Sequence, residues 1–225
     1  EDRNGNIWIG TGGGLNLYNP KTETFQSFQH DPNNSESINN NHIFSIHQDE
    51  AGTMWIGTWN GLNKFDSKTQ TFQRFQHKET TLLPWHSKPM HKVTSLGDSW
   101  KEDELLVGVD GIGLLVFDKV KESFRPVPIK PADNHWRRDY IYIHPKKDGK
   151  ILVSLTFKVH EFEKEGYLTQ LNRDGTLAFS GNLEDLVPIS SGNYLAATMN
   201  GLNIVNSNYQ TIEHFVPLPH NLYTG

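Results

Sequence analysis

No cysteine occurs anywhere in the 225 residues, which excludes disulfide staples, zinc clusters built on thiolates and a thiol nucleophile. Long apolar runs are lacking too, and none approaches the roughly 18 residues that span a bilayer. The first residues, Glu1 to Gly5, are polar and do not read as a secretion signal, so the expectation is a soluble piece. A basic surplus is also absent: 21 Lys and Arg stand against 26 Asp and Glu, a formal net charge of −5. The cations are scattered apart from short pairs such as Arg137-Arg138 and Lys146-Lys147, which argues against nucleic acid as a partner. Stretches of 10–12 residues with helical periodicity are missing as well.

What is present is aromatic and turn-rich: six Trp, twelve Phe and seven Tyr among 19 Gly. Aromatic and β-branched residues favour the pleated surface, and Gly, Asn and Asp favour tight turns, so an all-β chain of short strands is expected. Placing residues 49–77 under 2–30 makes more than half of the positions identical. Trp8-Ile9-Gly10-Thr11 falls on Trp55-Ile56-Gly57-Thr58, 47 residues on, and Gly14-Leu15-Asn16 falls on Gly61-Leu62-Asn63. Such a period belongs to propellers or solenoids.

Residues 42–77 parse into four strands, A to D: His42 to Gln48, Thr53 to Thr58, Gly61 to Asp66 and Thr71 to Gln76. Asp49-Glu50-Ala51-Gly52 makes the A–B hairpin. Fainter copies place Leu106, Leu152 and Leu195 at the Trp position, with Gly108, Ser154 and Ala197 two residues on. A large apolar residue and a small one on one strand face suit blades that converge on an axis. The expected architecture is a run of about five β-propeller blades, each a four-stranded antiparallel meander, at roughly 1–30 (incomplete, without strand A), 42–77, 92–127, 139–181 and 183–216. The fourth is expected to carry an insertion, Thr156 to Glu165, between B and C. Pro217 and Pro219 disfavour a closing strand in the tail, so the chain is expected to be part of a larger propeller. The open B-strand edge near Asn6 to Thr11 is one that a homodimer would cover.

The stretch Asp2-Arg3-Asn4-Gly5-Asn6-Ile7-Trp8-Ile9-Gly10-Thr11 with Gly14-Leu15-Asn16, and its copy from Asp49 to Asn63, resembles the two-component regulator propeller repeat. The resemblance implies a periplasmic sensor region of a hybrid histidine kinase or a diguanylate cyclase, in a parent chain anchored in the membrane. Some members of that family recognise oligosaccharides, which makes an oligosaccharide one candidate ligand, while membership by itself does not fix the ligand.

In such blades the A–B and C–D turns lie on one face, and the B–C and D–A connections on the other. The D–A connections, Asp31 to Asn41, Lys78 to His91 and Pro128 to Arg138, differ most between copies, and variable loops on a rigid scaffold carry recognition. The candidate ligand-binding residues on that face are Trp59, Asn60, Trp85, His86, His91, Asp110, His135, Trp136, Arg137, Arg138, Met199 and Asn200. Trp59, Trp85 and Trp136 depart from the repeat, and flat aromatics beside amides, carboxylates and guanidinium groups suit a sugar ring. Arg137-Arg138 is expected foremost as a solvated pair, with a clamp on a carboxylate or uronate as the functional alternative, and each Trp also has a plain alternative in covering its own loop. Trp8 and Trp55 recur with the repeat and are expected in the core between blades.

The eleven His show neither helical i, i+4 pairs nor Cys/His spacing, and neither a metal nor a cofactor is expected. Asp98, Asp103, Asp110 and Asp118 give no sign of converging as a glycosidase pair, and Gly12-Gly13-Gly14 lies between strands, not ahead of a helix. The expected function is therefore non-catalytic ligand sensing. A passive protein-interaction propeller and a polysaccharide lyase or hydrolase stand as alternatives.

Overall fold

The computed structural model of the protein describes residues 1–77, 92–130, 141–144, 150–155, 158–170, 183–189, 192–198, 201–206 and 211–215. Its strands form five sheets met in chain order, antiparallel apart from one strand pair in the fourth. The first holds β1 (Ile7–Thr11), β2 (Gly14–Asn19) and β3 (Thr24–Phe28). The second holds β4 (Ile43–Gln48), β5 (Met54–Thr58), β6 (Gly61–Asp66) and β7 (Thr71–Phe75), within a residue or so of the strands expected there. The third is β8 (Val93–Asp98), β9 (Glu104–Val109), β10 (Gly113–Asp118) and β11 (Ser123–Pro126).

The fourth sheet corrects two expectations. Its members are β12 (Ile129–Lys130), β13 (Ile141–Ile143), β14 (Leu152–Leu155), β15 (Lys158–Phe162) and β16 (Leu168–Gln170). Residues 156–165 are not an insertion, because β14 and β15 pair from Leu155↔Lys158 onward and supply strands B and C across a two-residue gap. Nor is the sheet a four-stranded meander: β12, from the connection expected to be loop, pairs parallel to β16 at the outer edge. The fifth sheet is β17 (Leu183–Pro188), β18 (Tyr194–Thr198), β19 (Gly201–Val205) and β20 (Thr211–Phe215). The tail, with Pro217 and Pro219, lies outside the described residues.

The first four sheets pack face to face in chain order, and each of the three gaps between them is filled by both neighbours. Leu15 and Phe28 of the first meet Met54, Ile56, Phe65 and Phe72 of the second, with Trp8 partly buried against them. Trp55, Leu62 and Phe75 of the second meet Leu105, Val107, Leu115 and Phe117 of the third. Leu106, Leu114 and Val116 of the third meet Ile141, Val153 and Phe162 of the fourth. Both repeat Trp therefore lie between sheets, Trp55 almost fully buried and Trp8 less so.

The small residue two positions after each Trp has a definite partner. A Cβ on Gly10 would fall 2.6 Å from Ile43 Cγ2, and one on Gly57 would fall 2.6 Å from Val93 Cγ1. The gap left by glycine is filled by the branched residue that opens strand A of the next sheet. Strand A also carries an extra residue: register slips between Ile43 and Ser45, between Val93 and Ser95, and between Leu183 and Asp185. A β-bulge at this point bends the strand and re-aims the residue inside it.

The turns explain why these strands end where they do. In the A–B hairpin Asp49 accepts from the Thr53 amide at 2.8 Å and from the Trp55 indole at 2.9 Å. Asp2 does the same for Asn6 and Trp8, each at 3.0 Å. In the B–C turn Thr11 Oγ1 and Thr198 Oγ1 donate to the carbonyls of Gly14 and Gly201 at 2.9 and 3.0 Å, and Thr58 Oγ1 stands 3.1 Å from the Gly61 carbonyl in the same place. In the C–D turn Glu23, Gln70 and Glu122 adopt φ of 55°, 60° and 52°.

Candidate functional site

The end of the sheets carrying the B–C turns presents a cluster built from the second and third sheets. Phe44 is the residue inside the β4 bulge, which turns its ring outward to 41% exposure. Trp59 follows β5, is held by its amide donating to the His42 carbonyl at 3.1 Å, and is 53% exposed. The two rings lie 5.8 Å apart and tilted by 42°, and the His42 ring stands edge-on to Trp59 at 6.1 Å.

Lys92, just ahead of β8, reaches over both rings, its Nζ 4.8 Å from the Phe44 centroid and 5.6 Å from that of Trp59. The same ammonium pairs with Asp110 Oδ2 at 2.9 Å. Backbone geometry fixes this pair, since the Asp110 amide donates to the Lys92 carbonyl at 2.9 Å. A cation over an aromatic face gains about 0.5–1 kcal/mol at exposed sites and more when desolvated, so Lys92 stiffens two aromatics that a loose surface would leave free. The result is an exposed, angled aromatic platform beside a hydrogen-bonding ion pair.

Of the expected residues, Trp59 and Asp110 are brought to one cluster, joined through Lys92. Asn60 serves the scaffold through its backbone: its carbonyl accepts from Asn39 Nδ2 at 3.1 Å and Gln76 Nε2 at 3.0 Å. Trp85, His86, His91, His135, Trp136, Arg137, Arg138, Met199 and Asn200 lie outside the described residues. Phe44, His42 and Lys92 were not anticipated. An adjacent apolar pair, Ile43-Phe44, in an otherwise alternating strand is the signal of the bulge.

The connection before β4 is less free than its length suggested. Asn39 is buried, its amide donates to Asn63 Oδ1 at 3.0 Å, and its own Oδ1 accepts from Asn63 Nδ2 at 2.9 Å and from Thr58 Oγ1 at 2.5 Å. Arg74 holds the same segment through the Ser37 carbonyl at 2.7 Å and the Asn34 carbonyl at 2.6 Å. This segment is a strap on the second sheet.

An open cleft of about 910 Å³ lies at the other end, among residues 51–54, 64–68 and 71–74 with Ser35 and Glu36. Its aromatics, Phe65 and Phe72, are buried in the core and Arg74 is spent on the strap. It offers a ligand no exposed ring, so the Trp59 cluster is the better-equipped site. That turn end is clamped between sheets: Lys119 Nζ pairs with Asp49 Oδ2 at 2.7 Å, and Arg3 donates to the carbonyls of Asp49 and Glu50 at 3.0 and 2.9 Å. Burial opposes ionisation of Asp49, but the bonds from Lys119, Trp55 and Thr53 outweigh it and hold the carboxyl below the usual range. Glu104 is likewise held low by Arg125, Lys101 and Ser99 against its burial. Among the described residues no group of three or more His, Cys, Asp or Glu could hold a metal ion.

Residues 37–60, from the strap through Trp59 and Asn60, match the family described as "Two component regulator propeller". The match covers 24 of the 225 residues. No curated protein matches in sequence. Solved structures with a similar fold include one described as the extracellular domain of a hybrid two component system, BT3049 from B. thetaiotaomicron, at 19% identity and a TM-score of 0.69 over 94% of this chain. Another, described as that of the hybrid system BT4673 from the same organism, has 17% identity and a TM-score of 0.72 over 98%. A third, described as belonging to a one component system BT4673, has 18% identity and a TM-score of 0.57 over 95%. The chain spans 27%, 30% and 36% of the length of those three. Within the repeat, Asn39, Asp49, Trp55 and Thr58 are bound into the scaffold, while His42, Phe44 and Trp59 are exposed.

Proposed function

We propose that the chain is a non-catalytic, extracytoplasmic ligand-sensing segment of a bacterial signal-transduction receptor, and that the B–C face recognises an oligosaccharide. The observation that carries the reading is the pair of exposed rings, Phe44 and Trp59, held beside the Lys92–Asp110 ion pair. Carbohydrate sites combine a flat aromatic, which covers the C–H face of a pyranose, with polar groups that meet its hydroxyls. The repeat at residues 37–60 and the likeness to extracellular domains described as parts of two component systems support a sensor in a membrane-anchored, periplasm-facing parent.

The five sheets are read as about five blades of a larger propeller, at roughly 1–30, 42–77, 92–127, 139–181 and 183–216. In support, the first four sheets pack one on the next in chain order and the chain aligns with a third or so of longer similar structures. Among the described residues β1 pairs with β2 alone, and a further strand, from the same parent or from a second copy in a homodimer, would complete the first blade. Signalling would follow from unequal ligand affinity of two propeller or dimer arrangements.

Tryptophan fluorescence tests the reading. A panel of oligosaccharides should include one that shifts the emission of the parent protein, and Trp59→Ala should abolish the response while leaving the melting temperature within a few degrees. A panel without any response, from folded protein, would contradict it.

A further inference from the structure

The charges at the B–C face narrow the ligand. Lys92 is the cation that reaches the aromatic platform from β8, and it is already matched: its Nζ lies 2.9 Å from Asp110 Oδ2, and both side chains are about four-fifths buried, at 23% and 21% exposure. The ammonium has three N–H donors, of which Asp110 takes one, and the carboxylate keeps acceptor sites of its own. The pair thus offers a donor and an acceptor side by side and no net charge. His42, exposed at the edge of Trp59, is the other titratable group there among the described residues.

Resting on the oligosaccharide reading above, we infer that this site selects neutral pyranosides over uronates. Each hydroxyl of a vicinal pair on a sugar both donates and accepts, so two neighbouring hydroxyls match the Lys92 and Asp110 heads together. A uronate carboxylate can only accept at neutral pH. Beside this site it would lose part of its hydration, find Lys92 already engaged and stand next to the like charge of Asp110. The faces of Phe44 and Trp59 discriminate in the same direction, because they favour the apolar C–H face of the ring. The alternative of a uronate clamp at Arg137-Arg138 concerns residues that lie outside the described part of the chain.

Calorimetric titration of the protein with cellohexaose, maltohexaose, mannohexaose, xylohexaose and hexagalacturonate tests the inference. At least one neutral hexaose should bind about ten-fold or more tighter than hexagalacturonate, a difference of about 1.4 kcal/mol, with little dependence on salt. Asp110→Asn leaves the backbone bond to Lys92 in place and unmatches the ammonium. It should raise hexagalacturonate affinity several-fold and weaken the neutral ligand. Should the parent protein bind hexagalacturonate as well as or better than every neutral hexaose, the selectivity is overturned while the oligosaccharide reading stands. Binding of none of the five would overturn both.

Discussion

The indole N–H of Trp55 donates to Oδ2 of Asp49, six residues earlier, at 2.9 Å, and both side chains are almost wholly buried. One carboxylate thereby closes the A–B hairpin, fixes the Trp that fills the gap to the third sheet, and receives Lys119 from that sheet. In the first sheet Asp2 and Trp8 repeat the bond at 3.0 Å, in a more exposed setting.

Asp49→Ala removes these partners together, leaving the Lys119 ammonium without its counter-ion, held by the Glu102 carbonyl alone of these two acceptors, and the indole N–H without its acceptor. It should cost about 3 kcal/mol, in the range for breaking a buried ion pair. Asp2→Ala, with no lysine partner and more water, should cost about 1 kcal/mol. Urea unfolding of both variants measures the difference, and equal costs would mean that the inter-sheet clamp contributes nothing.

Glycine 57 and glycine 192 separate space from conformation. At Gly57 a Cβ would clash first with Ser45 Oγ of its own sheet, which can rotate away, and then approach Val93 Cγ1 to 2.6 Å and the Val93 carbonyl oxygen to 2.8 Å, so Gly57→Ala should displace Ser45 and force the second and third sheets apart at a cost of about 2–3 kcal/mol. Gly192 has nothing within 4 Å of its would-be Cβ but a φ of +76°, and Gly192→Ala should cost about 1 kcal/mol from backbone strain alone. Thermal melts of the two variants report the ranking, and a harmless Gly57→Ala would refute the close approach of Val93.

Glutamate 23 sits in the left-handed region at φ 55° and is exposed. Glu23→Gly should therefore stabilise, by up to about 1 kcal/mol. A lowered denaturation midpoint would show that its side chain supports the turn.

Acid should unfold the protein through the low-lying carboxyls. Asp49, Asp98 and Glu104 are each held below their ordinary range: against their burial, Lys119 and Trp55 hold Asp49, His47 holds Asp98, and Arg125 and Lys101 hold Glu104. A depressed folded pKa gives stability that is fully present above the unfolded values of about 3.9 and 4.3, and that is lost as pH falls through the folded ones. The melting temperature should be nearly level from about pH 5 to 7 and drop steeply below about pH 4. Glu104→Gln should melt lower at pH 7 yet lose less on acidification, and an unchanged acid slope would remove Glu104 from the account.

Much of the scaffold could be read in the residues, because a 47-residue copy fixes strand order, the A–B hairpin and the two repeat Trp at once. Legibility failed where the copy fades. In the fourth sheet Leu152 and Ser154 replace Trp and Gly, and the strand Lys158–Phe162 lacks the Gly-Leu-Asn that opens β6, so in sequence it reads as an insertion. The two-residue strand Ile129–Lys130 is too short to leave a pattern. At the site, Trp59 was legible because it stands where the first unit has Gly12, and Asp110 because it follows the Gly108 strand. Phe44 was hidden because its outward turn depends on a bulge, and Lys92 because a single cation at the end of a long connection looks like any other.

Hydrogen exchange with and without a bound oligosaccharide tests the central claim, that the B–C face is where ligand is sensed, most directly. The account predicts slowed exchange in peptides covering residues 42–44, 58–60 and 92–95 and around Asp110, with no change across the cleft at residues 51–54 and 64–68. Protection confined to that cleft, or spread evenly without the Trp59 segment, would contradict it.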